Sequence, residues 1–108
     1  MDIIDRAREI DGMCKELKDL ESVLPVLASK RAVTIGRYAV DLRVAIITLK
    51  SKGETATLAP KLAEGLCHDS LVAKEEAEGC YQVARARQRS IETRLSGSQS
   101  VFRHLSHT

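Results

Sequence analysis

The chain has 108 residues, of which 44% are hydrophobic and 30% are charged, and its formal net charge at pH 7 is +2. This length fits one small domain and excludes a multidomain enzyme. One Phe, two Tyr, no Trp and two Pro are too few for the core and turns of an all-β sandwich. The composition is too apolar for disorder, and no uncharged run approaches the ~20 residues that cross a bilayer. We therefore expect an all-α protein, either a three-helix antiparallel bundle or a coiled-coil hairpin with a long C-terminal helix.

The N-terminal segment and the cysteines predict a cytoplasmic protein that does not enter a membrane. Residues 2–5 read DIID, which is acidic where a signal or transit peptide is basic. Cys14, Cys67 and Cys80 form an odd set without paired spacing, as is typical of reduced thiols.

The first predicted helix covers about residues 2–22. Asp2 is placed to cap its first turn, and its apolar residues recur in alternating steps of three and four. Pro25 lacks an amide hydrogen and clashes with the preceding turn, so it either kinks a longer helix or begins a new one. We prefer a new helix at Pro25. The apolar seam of the first helix consists of Ile3, Ala7, Ile10, Cys14, Leu17 and Leu20 or Glu21.

The second predicted helix covers about residues 25–52 and ends at Gly53, a typical C-terminal stop. Residues 53–69 form the connector, in which 58–64 could make one or two helical turns between a Thr57 cap and a Gly65 stop. The seam of the second helix consists of Ala28, Arg31, Ile35, Tyr38, Leu42, Ala45 and Leu49, widened by Ala32, Ala39 and Ile46.

The third predicted helix covers about residues 70–105 and begins near Asp69 or Ser70, both good caps. Its apolar residues continue the alternation of three and four almost to the C-terminus. The seam consists of Ala77, Tyr81, Ala84, Gln88, Ile91, Leu95, Ser98, Phe102 and Leu105.

The second and third helices are expected to lie antiparallel, because the connector is short and opposite charges then meet. Residues 25–52 carry a net charge of +5, whereas residues 1–24 carry −3 and residues 53–80 carry −4. This register places Lys52 near Cys67 and Pro25 near Arg94. It packs the second-helix residues Leu42, Ile46 and Leu49 against the third-helix residues Ala77, Tyr81 and Ala84 or their close neighbours.

In that register the end of the third helix extends past the second helix, and the short first helix, whose own seam needs a surface, could cover it only in part. A helix of roughly 36 residues is about 54 Å long, against about 42 Å for the second helix. Residues after Leu95 would therefore extend past the second helix, and a long thin hairpin buries little surface alone. We expect a homo-oligomer whose interface contains Leu95, Phe102 and Leu105.

The sequence predicts no catalytic residue, no cofactor and no metal site, and we do not expect an enzyme. It has no phosphate-binding loop, nucleophile elbow or metalloprotease His pair. The run 67–69, Cys-His-Asp, stands thirteen residues from Cys80 without the spacing of a zinc site. His104 and His107 lie at a terminus that is expected to fray. We interpret Cys14 and Cys80 as small buried residues of the helical seams.

Nucleic-acid binding is the alternative function, because residues 81–108 carry a net charge of +4. Arg85 and Arg89 share a helix face, but Arg87 lies roughly opposite, so a phosphate-facing stripe is only partly formed. The three aromatic residues fall on apolar seams and are not expected to stack on bases. The candidate contacts are Arg37, Arg43, Arg85, Arg89, Arg94 and Arg103.

One pattern resembles a known group of proteins. The basic helix after Pro25 is followed by GETATLA at 53–59 and LAEG at 62–65, and then by a long helix that closes on Leu-Ser at 95–96 and Gln-Ser at 99–100. Over about residues 20–103 this resembles small helical proteins encoded by phages and prophages. The resemblance carries no catalytic residue and implies a phage accessory, a helper of DNA metabolism or an assembly factor. We therefore expect a non-enzymatic interaction or assembly protein that self-associates.

Overall fold

The structure, a computed structural model, describes residues 2–107, and these form three α-helices and no strand. Helix α1 is Ile3–Ser51, α2 is Ala59–Leu66 and α3 is His68–Ser106. The all-α prediction is confirmed for the described residues. Contacts divide the chain into two compact units: a terminal unit of residues 2–26 with 82–107, and a central unit of Leu27–Tyr81.

Both ends of α1 carry the predicted capping groups. The backbone N–H of Asp5 donates to Oδ1 of Asp2 at 2.8 Å, which satisfies one amide of the first turn. Gly53 has φ +96°, and its N–H donates to the carbonyl of Lys50 while Glu54 N–H donates to that of Leu49. These two bonds form a Schellman motif, whose left-handed residue favours glycine.

The predicted helix break at Pro25 is wrong, because α1 continues through this residue. Half-buried leucines keep the spacing of three and four on both sides, at Leu20, Leu24 and Leu27. Pro25 itself is exposed, so its ring removes a backbone hydrogen bond without disturbing this buried line. Packing of the leucine seam outweighs the low helix propensity of one exposed proline.

We predict that Pro25→Ala raises the free energy of unfolding by about 1–3 kcal/mol, because proline in a helix interior costs up to about 3 kcal/mol relative to alanine. Urea denaturation followed by circular dichroism measures this change. Pro60→Ala is the matched control: Pro60 lies in the first turn of α2, where proline is tolerated, and we expect less than about 1 kcal/mol. Equal effects of the two substitutions would show that α1 is interrupted at Pro25.

The seam of α3 is confirmed at every predicted position. Four of its nine residues are buried, seven residues apart, and the other five are half-buried. Helix α3 begins at His68, within two residues of the predicted start. The buried residues are Ala77, Ala84, Ile91 and Ser98.

The connector contains a helix, but its predicted ends are wrong. Leu58 rather than Thr57 precedes α2, and it makes no side-chain cap. Instead the Leu58 N–H donates to Oγ1 of Thr55 at 3.1 Å. Gly65 lies inside the helix, because Ala59 and Ala63 are fully buried and the helical turn they anchor continues to Leu66.

In the central unit α1 and α3 are antiparallel, as predicted, but the register is different. Ser70 donates a hydrogen bond to Asp41, and Lys74 lies over the ring of Tyr38 at 5.1 Å. Tyr81 lies beside Arg31 at 5.2 Å, eleven residues before Leu42. The pairs that the sequence predicted, with Leu42, Ile46 and Leu49 against Ala77, Tyr81 and Ala84, are therefore wrong.

Helix α2 is the physical reason for this shift. Leu66 and Cys67, at the end of α2, line one cleft with Val44 and Ala45 of α1. Because α2 returns along the last turns of α1, α3 begins beside Asp41 rather than beside Lys52. A short connector without its own helix would allow the predicted register.

A disulfide can test the register of the central unit. In a background of Cys14→Ser, Cys67→Ala and Cys80→Ser, we expect Asp41→Cys with Ser70→Cys to form a disulfide within one chain. The control is Lys52→Cys with native Cys67, in a background that lacks the other two cysteines. Lys52 lies seven residues beyond Ala45, about 10 Å along the helix, so this pair should stay reduced. Mass spectrometry after oxidation detects a disulfide in either pair. A disulfide between positions 52 and 67 and none between 41 and 70 would support the register predicted from the sequence.

In the terminal unit the end of α3 has a partner within the chain. Nη1 of Arg6 lies 3.4 Å from Oγ of the buried Ser98, and Nη2 of Arg87 lies 2.8 Å from Oε2 of Glu16. The N-terminal half of α1 therefore runs antiparallel to the C-terminal half of α3. Residues after Leu95 were expected to extend past the second helix, with at most partial cover from the first. In the structure the N-terminal part of α1, which is continuous through Pro25, is their partner.

Candidate interaction surfaces

A polar cluster joins α1 to α3 in the central unit. Arg31 donates from Nε and Nη2 to both carboxylate oxygens of Glu78, and its guanidinium lies over the ring of Tyr81. The hydrogen bond to Glu78, helped by the carboxylate charge and opposed by burial, holds the pKa of Arg31 above its ordinary value. Arg31 therefore stays charged at any physiological pH and serves to fix the pairing of the two helices.

All three aromatic side chains are half-buried. Tyr38 and Tyr81 each have a cation over the ring, from Lys74 and Arg31 respectively. Phe102 lines a cleft in the terminal unit. Stacking on nucleic-acid bases needs exposed rings, so these residues are poorly placed for it.

The central unit carries a line of exposed, β-branched apolar residues on α1, which we call the valine face. It consists of Val33, Val40, Val44 and Ile47, which are between 56% and 65% exposed. Val33, Val40 and Ile47 are seven residues apart, so they follow one heptad position along the helix. The half-buried seam residues Thr34, Tyr38 and Asp41 follow other heptad positions. The valine face is therefore a second apolar line on a helix whose first line is already paired.

Basic residues flank the valine face without carboxylate partners. Lys30, Arg37, Arg43 and Lys50 are exposed, and none makes an ion pair with a described residue. Asp41 is the one acidic residue of α1 in this unit, and it is half-buried and accepts a hydrogen bond from Ser70. The predicted neutralisation of this half of α1 by α3 is therefore limited to one cross-helix ion pair of the described residues, at Arg31.

The valine face ends at a cleft of about 300 Å³ between α1 and the end of α2. Val44 and Leu66 line it, and Leu66 is 70% exposed. Asp41 and Asp69 line the same cleft. The apolar surface thus continues from α1 to α2, where its border changes from basic to acidic.

The predicted oligomer interface lies in the terminal unit. Leu95, Phe102 and Leu105 are half-buried there. Phe102 lines an open cleft of about 480 Å³ with Ala7 and Ile10 of α1. The other two lining residues are Gln99 and Arg103. Phe102 therefore contributes to the packing of the unit and also presents apolar surface at a cleft.

The six candidate nucleic-acid contacts are divided between the two units. Arg37 and Arg43 belong to the central unit and the other four to the terminal unit. Arg85 is half-buried and donates to Oε1 of Gln88 at 2.6 Å. The exposed members of the terminal unit, which make no ion pair with described residues, are Arg89, Arg94 and Arg103.

The cysteines differ from their predicted burial. Cys14 and Cys80 are exposed and Cys67 is buried. The buried heptad position of α1 passes through Met13 rather than Cys14. That of α3 passes through Ala77 and Ala84 rather than Cys80. Within residues 2–107, no group of three or more His, Cys, Asp or Glu side chains could hold a metal ion.

Comparison with protein families, with curated proteins and with solved structures finds no match. The resemblance to phage and prophage proteins stays a prediction. Of the described helices, none contains a stretch that is long and apolar enough to cross a membrane.

The valine face was not predicted from the sequence. Four residues that were predicted to belong to the buried seam of the second helix are exposed, namely Ala28, Ala32, Ile35 and Ala39. The sequence feature that could have predicted this face is a valine or isoleucine at every seventh position. Those residues are Val26, Val33, Val40 and Ile47.

Proposed function

We propose that this protein is a non-enzymatic helical interaction protein that self-associates through the terminal unit. Phe102 is the observation that carries the proposal: this aromatic ring is only half-buried and lines an open apolar cleft with Ala7 and Ile10. Leu95 and Leu105 lie one heptad before it and three residues after it on the same seam. In the finer architecture that we infer, each unit packs as an antiparallel coiled-coil pair.

The size of the core supports self-association. The largest side chain that is fully buried is Ile91, and the other buried core residues include several alanines. A helix pair with so few large buried side chains withdraws little apolar surface from water. Closing the cleft beside Phe102 with a second copy would add the missing burial. A cytoplasmic location agrees with three free thiols, which reducing compartments maintain.

Sedimentation equilibrium from micromolar to millimolar concentration tests the proposal. We expect a mass above the 11.9 kDa of one chain, rising with concentration. Phe102→Glu should weaken the association constant at least tenfold, a change of about 1.4 kcal/mol, because a carboxylate would be desolvated in the interface. A monomer at every concentration would overturn the proposal.

Two further variants separate association from folding. Ala7→Glu changes an exposed residue of the same cleft and should also weaken association while it preserves helicity. Val83→Glu is the matched control, because Val83 is 71% exposed in the same unit and lines no described cleft. If Ala7→Glu has no more effect than Val83→Glu, the cleft is not the interface. If Phe102→Glu alone abolishes helicity, Phe102 serves the core of the monomer.

Nucleic-acid binding is the second candidate, and one observation favours it. Arg89, Arg94 and Arg103 are exposed on α3 without an ion pair to a described residue. The half-buried aromatic rings count against this candidate, because stacking on bases needs exposed rings.

A gel-shift series separates the two candidates. We expect no retardation of single- or double-stranded DNA even at low salt, because the exposed arginines form no continuous phosphate-facing stripe. Retardation that falls steeply with salt and is weakened by Arg89→Gln with Arg94→Gln would favour the second candidate. Arg87→Gln is the control, because Arg87 is paired with Glu16.

A further inference from the structure

We propose that the valine face of the central unit docks an acidic amphipathic helix of another protein. The proposal concerns a different unit and a different class of partner from the self-association proposed above. It rests on the geometry of the apolar residues, on the flanking cations and on the cleft where the face ends.

The geometry is that of a coiled-coil seam. Val33, Val40 and Ile47 repeat every seven residues, and Val44 occupies the intervening position of the same stripe. β-branched side chains at such positions suit packing into the holes of a facing helix. All four are more than half exposed, so within the described residues this seam has no helix of its own chain to cover it.

The charge identifies the partner. Lys30 and Arg37 occupy the heptad position that Val44 shares, and Arg43 and Lys50 follow the other edge of the stripe. A partner with glutamate or aspartate beside its own apolar seam would pair with these cations, and such flanking pairs select partner and orientation. Asp41 and Asp69 line the cleft beside Leu66, so the partner should carry apolar or basic residues at that end.

A second copy of the same face is a poor partner. A two-fold pairing would bring the cations of one copy against those of the other, and like charges facing each other oppose association. The acidic segment 2–21 does not present a complementary apolar stripe either, since its exposed large apolar residues, Ile3 and Ile4, are adjacent in the first turn of α1.

The apolar residue types argue against an anionic membrane and against nucleic acid. Amphipathic helices that bind membranes insert Trp, Phe or Leu, whereas the valine face on α1 has only valine and isoleucine. Phosphate contacts would use the four cations but leave the exposed valines in water. An acidic helix uses both the cations and the apolar line.

Fluorescence anisotropy with designed peptides tests the proposal. The probe is a labelled peptide of about four heptads with isoleucine and leucine on its seam and glutamate at the flanking positions. Its own glutamates oppose self-pairing at neutral pH. We expect saturable binding that weakens as salt rises, and at least tenfold weaker binding of a peptide with lysine at the same positions.

Substitutions locate the site. Val40→Glu should reduce binding of the acidic peptide at least tenfold, whereas Val83→Glu, in the other unit, should leave it unchanged. Arg37→Glu with Arg43→Glu should exchange the preference, so that the lysine peptide binds better than the glutamate peptide. Both pairs of residues are exposed, and circular dichroism checks that helicity is preserved.

Several results would overturn the proposal. These are absence of binding, equal binding of the two peptides, or equal effects of Val40→Glu and Val83→Glu. Binding to phosphatidylserine vesicles that Val40→Glu abolishes, without peptide binding, would assign the face to a membrane. If Val40→Glu abolishes self-association and Ala7→Glu leaves it unchanged, the valine face binds a second copy of the chain. That result would contradict both proposals. Peptide binding by a protein that is monomeric throughout would leave this inference standing and remove only the proposed function.

Discussion

In each of the two units the structure depends on the pairing of α1 with α3 over small buried side chains of α3. Helix α3 buries one residue in each heptad, at Ala77, Ala84, Ile91 and Ser98. Three of these four are small, which lets a neighbouring helix approach closely but withdraws little apolar surface from water. Heptad periodicity therefore specifies the helices, while many of the larger apolar side chains stay exposed to solvent. The exposed residues form the valine face, and half-buried ones such as Phe102 line the proposed self-association cleft.

Polar contacts define the register because the core is so sparse in large side chains. In the central unit Arg31 binds Glu78 and Asp41 binds Ser70. Such partly exposed pairs contribute little free energy, but each is satisfied at one alignment of the helices only. A shift by one heptad would place Arg31 opposite different residues and would remove its contact with Tyr81. In this protein, polar contacts select among alignments that alanine packing alone would not distinguish.

The predictability of each helix follows from how many apolar lines it carries. Helix α3 has one, so its seam from Ala77 to Leu105 could be predicted in full. In α1 the exposed Val33 and Val40 compete with a seam that contains Arg31, Thr34 and Asp41, and periodicity alone cannot say which line is buried. Pro25 added a second error, since its local cost is visible in the sequence while the compensating leucine packing is tertiary. The register depended on α2, whose position against Val44 and Ala45 no periodic pattern encodes.

The exposed cations of α1, which make no ion pair with a described residue, bear on which partner can cover the valine face. Heptad-spaced β-branched residues in water favour association with other helices, including those of further copies of the chain. Lys30, Arg37, Arg43 and Lys50 oppose that pairing by like-charge repulsion and leave it open to a helix of opposite charge. A basic face that only contacts solvent does not need valines, because polar residues at the same positions would be equally well hydrated. The proposed docking of an acidic helix uses both features, the apolar line for burial and the cations for the choice of partner.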